Sequence, residues 1–226
     1  MPKLNVKEVM GREAKAQARK DEWRSIYEDC YEFALPQRNL YGGYYEGKTP
    51  GKNKTQRVFD STAVNATKRF ANRMQSGLFP PMRKWCRLEP GSAVPDEEKE
   101  RAQEILDAYV NIMFDQLRQT SFDLAMGEFL LDLCVGTAVM MITPGDEVTP
   151  VRFLAVPQYL VAIEEGAYGT IDNVYRKLRI KAEAIKREFR DVQITPELQT
   201  AIDDKPHEEL DLFDAIIFDQ ETGRYH

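Results

Sequence analysis

Histidine is nearly absent from this 226-residue chain. His207 and His226 are the only two, and no Cys or His pair has ligand spacing, so neither a zinc site nor a His-centred catalytic constellation has the parts it needs. Cysteine is scarce as well. Cys30, Cys86 and Cys134 are odd in number and widely spaced, which argues against a disulfide framework and for reduced, buried, inert thiols. No apolar run is clean enough to cross a bilayer: residues 122–142, the most apolar stretch, are interrupted by Asp123, Gly127, Glu128, Asp132 and Gly136, where a span needs about 20 apolar residues. Met1 to Arg19 is polar and charged, without the apolar segment of a secretory signal. Positive charge is not in surplus either. A formal net charge of -6 does not announce a nucleic-acid binder, whose affinity rests on clustered Lys and Arg. Repeats and low-complexity tracts are missing too. What remains, 42% hydrophobic and 30% charged residues, is the composition of a soluble globular protein of one large or two small domains.

Periodicity divides the chain into a helical part, residues 1–136, and a part with antiparallel sheet and short helices, residues 137–226, together an α+β fold. Val6 to Leu35 reads as one long helix ended by Pro36. The most specific stretch runs from Arg57 to Leu88. Asp60 or Ser61 caps a helix whose apolar stripe is Ala63, Ala66, Thr67, Phe70, Ala71, Met74 and Leu78. Gly77 terminates it, Pro80-Pro81 forbid continuation, and Lys84 to Leu88 alternates like a half-buried strand. Asp96, Glu97 and Glu98 suit the start of the next helix, with Ala102, Ile105, Leu106, Tyr109, Ile112, Met113 and Leu117 as its apolar face. A fourth helix from Phe122 is apolar nearly all round, hence buried, and closes at Gly136. The period then becomes extended: a hairpin of Ala138–Ile142 with Val151–Ala155, strands at Tyr159–Ile163 and Ile171–Ile180, a short helix over Lys181–Phe189, another capped by Thr195-Pro196, and a strand over Leu210–Phe218. That last strand turns at Asp219 to Gly223 with no returning partner, which points to a piece of a longer protein.

Few constellations carry chemistry. Gly42, Gly47, Lys48 and Thr49 satisfy the phosphate-loop pattern. That mechanism needs a strand before the loop and a helix after it, whereas here Pro36 precedes and Pro50-Gly51 follows. A P-loop nucleotide-binding enzyme is therefore the alternative function rather than the first. The same loop sets Lys48, Lys52, Lys54 and Arg57 beside Tyr41, Tyr44 and Tyr45, cations and rings that could hold nucleic acid or pack on a neighbouring subunit. Arg69 and Arg73 on the helix that follows are the other contact candidates. Its alanine face is expected to pack within the subunit and its Arg69 and Arg73 face to meet a neighbour. Glu164-Glu165 and Asp203-Asp204 read as solvated charge, Trp23 and Trp85 as core or interface anchors, and no catalytic residue, cofactor or metal is assigned.

Phe59-Asp60-Ser61-Thr62-Ala63, Phe70-Ala71, Ser76 to Pro81, Trp85 and Leu88, with Val156 to Leu160 and Gly169 to Arg176 downstream, resemble the portal, or head-to-tail connecting, proteins of short-tailed bacteriophages. The resemblance spans about Trp23 to Phe218 and implies a wing-like, non-catalytic subunit of a ring, commonly a dodecamer, at one capsid vertex. It implies double-stranded DNA passing through the ring during packaging and ejection, with terminase, capsid and tail adaptor proteins as partners. The implied location is the virion, and the host cytoplasm during assembly, with no membrane. Stem, clip and crown parts of the family are expected to lie beyond this stretch.

Overall fold

Asn5 opens the first helix, its side chain accepting from the Lys7 amide at 3.1 Å. In the computed structural model, which describes residues 5–38, 57–189, 194–219 and 222–225, the elements then follow in this order: α1 (Val6–Asp21), α2 (Arg24–Ala34), α3 (Thr62–Leu78), α4 (Asp96–Arg118), α5 (Phe122–Val135), β1 (Val139–Pro144), β2 (Val151–Val156), β3 (Val161–Glu165), β4 (Ile171–Lys181), α6 (Ile185–Glu188), α7 (Pro196–Asp204), β5 (Glu209–Asp219) and β6 (Arg224–Tyr225). The fold is α+β, with a helix-rich first half and antiparallel pairing throughout, as the change of period predicts. Contacts gather these elements into two units, residues 1–23 with 159–226, and residues 24–158.

In the first unit β3, β4, β5 and β6 form one sheet in that order. Asn173 stands opposite Ile217 in the β4–β5 ladder and Val161 opposite Arg176 in the β3–β4 ladder. Val9 and Ala16 of α1 join Ala162, Tyr175 and Ile217 in the core. Gly169, at φ +71°, makes the turn between β3 and β4 that a side chain would strain. Thr195 caps α7, its hydroxyl accepting from the Leu198 amide at 3.3 Å, with Pro196 at the first helical position.

The second unit is built on helices. Ala71 of α3 packs with Phe122, Met126 and Leu130 of α5, and Trp85 completes the core. The Trp85 ring lies 5.1 Å from Phe79 and 5.4 Å from Phe114, both edge-on, and stacks on Phe122 at 5.9 Å. The hairpin pairs Val139 with Val156 through Pro144 with Val151.

Several expectations give way. The single helix over Val6–Leu35 is two, parted by a turn at Glu22-Trp23, because α1 serves the sheet while α2 buries Tyr31 and Glu32 in the helical unit. Gly77 does not end α3: the helix runs one residue further, to Leu78, where Pro80-Pro81 stop it. Lys84 to Leu88 is not a strand and pairs with none among the described residues; the alternation marks a segment whose Trp85 packs on the helical core and whose Leu88 carbonyl accepts from Gln103 at 3.0 Å. Tyr159 and Leu160 lie in a 3-10 turn rather than in β3. The last strand does have a returning partner, since Arg224 and Tyr225 pair with Asp219 and Phe218 across a turn in which Gly223 sits at φ +65°. The cysteines are free but none is buried, and Cys134 is exposed.

Candidate assembly surface

Ser61 is the N-cap residue of α3 but its side chain makes no cap bond, and the acceptor at the helix start is Asp60. Its carboxylate accepts from the Thr62 hydroxyl at 2.8 Å and the Thr62 amide at 2.9 Å, and these two bonds hold its pKa below the ordinary aspartate value. Once started there, the helix turns a narrower stripe inward than the sequence suggests. Thr67 and Ala71 are buried and Met74 half-buried, whereas Ala63, Ala66, Phe70 and Leu78 are exposed. The alanine face therefore packs inside at Ala71 alone. Lys68, Arg69 and Arg73 are exposed, and none of their side chains makes a hydrogen bond or ion pair with a described residue. Beside them an open groove of about 390 Å³ runs between α3 and α5, lined by Lys68, Ala71, Leu124 and Gly127 among others.

The apolar face read for α4 is the larger surprise. Val110 and Phe114 are the buried residues of this helix, with Leu117 half-buried against the core. Ile105, Tyr109, Ile112 and Met113, all assigned to the core side by periodicity, are exposed. α5 departs likewise from being buried all round, since Leu124 and Leu133 face solvent.

The remaining site candidates fall in two places. Gly42 to Thr49, Tyr41, Tyr44, Tyr45, Lys48, Lys52 and Lys54 lie outside the described residues. Arg57 is described: its guanidinium meets Glu32 at 3.1 Å and stands 5.7 Å from the Phe33 ring centroid. On the other side of that stretch Arg38 grips Asp132 through two bonds of 3.1 and 2.7 Å and reaches Glu128 at 3.3 Å, while Tyr31 donates to the same Asp132 at 3.1 Å. Burial works against the Arg38 charge, and the bonds to Asp132 outweigh it, so its pKa stands above the ordinary arginine value.

One polar cluster in the sheet unit was not visible from the sequence. Glu164, expected as solvated charge, accepts from Arg12 at 3.1 and 3.2 Å, from Asn173 at 2.8 Å and from Tyr175 at 3.0 Å. Desolvation pushes its pKa up, and the donors together pull it below the ordinary glutamate value. Burial first, and the bond to Glu164 second, push Tyr175 up to about 12. Through Arg12 the cluster pins α1 to the sheet. Period-2 alternation was the one signal that could have found it, since it places Asn173 and Tyr175 on one face of β4. Lys20, half-buried, donates to the Tyr159 carbonyl at 2.6 Å, and desolvation lowers its pKa to about 8. Among the described residues no group of three His, Cys, Asp or Glu side chains is placed to hold a metal ion, and no helix is long and apolar enough to cross a membrane.

The described surface thus offers apolar and cationic faces on helices and no acid–base constellation. The sequence model of a family described as bacteriophage head to tail connecting protein matches residues 6–225. No curated protein matches the chain.

Proposed function

The chain belongs to the family of bacteriophage head to tail connecting proteins, structural components of the phage particle, and from that membership we propose that it is a subunit of a portal ring through which double-stranded DNA is packaged and ejected. In this role it assembles with copies of itself, a dodecamer being the expectation, at a capsid vertex, and meets terminase, capsid and tail adaptor proteins without catalysing a reaction. The observation that carries the proposal is the outward apolar stripe of α4, which a monomer leaves in water and an assembly covers. The net charge of -6 agrees with it, because a channel that lets DNA slide gains nothing from gripping phosphates. Native mass spectrometry and electron microscopy of the full chain test it: a closed ring is expected. A chain that stays monomeric and binds ATP saturably, with binding lost in Lys48→Ala, would overturn it in favour of a nucleotide-binding enzyme.

A further inference from the structure

At 100° per residue, Ile105, Tyr109 and Ile112 fall on one line of α4, roughly 150° round the helix from the line of Val110 and Phe114 that faces the core. They are 51%, 62% and 59% exposed. Three large apolar side chains in one row, on a helix whose other face is already satisfied by the core, make an unpartnered face rather than scattered surface residues. Along one edge of that row run Glu97 and Glu104, neither side chain bonded to a described residue, with Arg101 the single base beside them. The whole helix carries seven acidic residues against three basic ones.

The complementary surface is on the same unit. α3 carries three cations, Lys68, Arg69 and Arg73, and no acid. Arg69 and Arg73 lie on the line opposite buried Ala71, and Phe70 stands next to them, 37% exposed. A helix with an apolar row and an acidic edge, and a helix with an exposed ring and a cationic edge, match in both chemistry and charge.

We propose that the outward face of α4 seats a second copy of this chain, whose α3 lays Phe70 against Ile105, Tyr109 and Ile112 while its Arg69 and Arg73 meet the Glu97 and Glu104 edge. This rests on the proposal that the chain works as an assembly of copies, and it names the surfaces that join them. Because the two surfaces differ, the contact is heterologous: each subunit offers α4 to one neighbour and α3 to the other, which is the arrangement that generates rings when the rotation closes.

The experiment uses two charge reversals in the full chain, Arg69→Glu with Arg73→Glu on α3, and Glu97→Arg with Glu104→Arg on α4. All four positions are exposed, so circular dichroism should match the wild type. Sedimentation is expected to show each variant associating at least about 10-fold more weakly than the wild type, with the wild-type assembly itself weakened as salt rises from about 50 to 500 mM. The decisive sample is the equimolar mixture. An acidic α4 meets a basic α3 at one junction and the reversed pair meets at the next, so alternating copies regain the wild-type mass. Wild-type mass in either single variant, or a mixture that stays dissociated, overturns the assignment while leaving the ring proposal standing. A wild-type chain that is monomeric at every salt and concentration overturns both.

Discussion

Replacing Arg38 with Met should destabilise the helical unit more than any change at its partner. The Asp132 side chain is 2% exposed and accepts two bonds from the Arg38 guanidinium and one from the Tyr31 hydroxyl. Arg38→Met removes the cation and leaves the carboxylate in a dry core, which costs about 3–5 kcal/mol. The reverse loss is milder. Asp132→Asn keeps an acceptor for Tyr31, and Arg38, 21% exposed, still has Glu128 at 3.3 Å, so about 1–3 kcal/mol is expected. Arg38→Met combined with Asp132→Leu should recover much of the first loss, because no charge is then left buried. For a chain of this size each kcal/mol moves Tm by roughly 2–4 °C, so the single variant should melt roughly 6–20 °C lower. Trp85 fluorescence in a Trp23→Phe background reports on the unit that holds the pair, since Trp85 sits in its core and Trp23 is exposed. An Arg38→Met protein that melts within a degree or two of the wild type, or a double variant as unstable as the single, refutes the argument.

Two further outcomes follow from the packing and the charges. Trp85→Ala empties the centre of the ring cluster formed with Phe79, Phe114 and Phe122 and should cost about 3–5 kcal/mol in urea unfolding, with a cost below about 1 kcal/mol as the contrary result. Lys20 has its folded pKa lowered by burial to about 8 from 10.5, so between those values the unfolded chain binds more protons and stability rises with pH; below about 8 both states are protonated and the burial penalty is constant. Lys20→Met should flatten that rise in Tm between about pH 8 and 10, and parallel curves for the two proteins would show that Lys20 is not its source.

Local chemistry was legible wherever one signal decided the matter. Thr195-Pro196 starts α7, Gly136 caps α5, and the hairpin from Val139 to Val156 pairs on either side of a turn beginning at Pro144-Gly145. The polar centres were not legible, because their partners are remote in sequence. Arg12 and Glu164 are 152 residues apart and Tyr31 and Asp132 are 101 apart, and no spacing rule links such pairs. A carboxylate beside another carboxylate reads as solvated until the chain that buries it is known. The break at Glu22-Trp23 escaped for a similar reason: apolar periodicity continues through it, while the surface it packs on changes.

The helix α4 shows what periodicity can and cannot carry. Its spacing found the helix and its start at Asp96, yet the face it gathered left out Val110 and Phe114, the two residues that are buried, and of its own members only Ala102, Leu106 and Leu117 are half-buried. Val110, Phe114 and Leu117 face the core, and Ile105, Tyr109 and Ile112 face away, with Met113 also exposed. Rows that lie so nearly opposite do not form one stripe, and apolar spacing records that a residue avoids water and not what shields it. Apolar rows on two nearly opposite lines of one helix are therefore a sign, readable in the sequence, of a second buried surface. In α4 the exposed apolar row is edged by Glu97 and Glu104, and in α3 Phe70 is edged by Arg69 and Arg73. The two misassigned faces, the exposed alanines and Phe70 of α3 and the exposed row of α4, are thus accounted for together if each covers the other on a neighbouring copy.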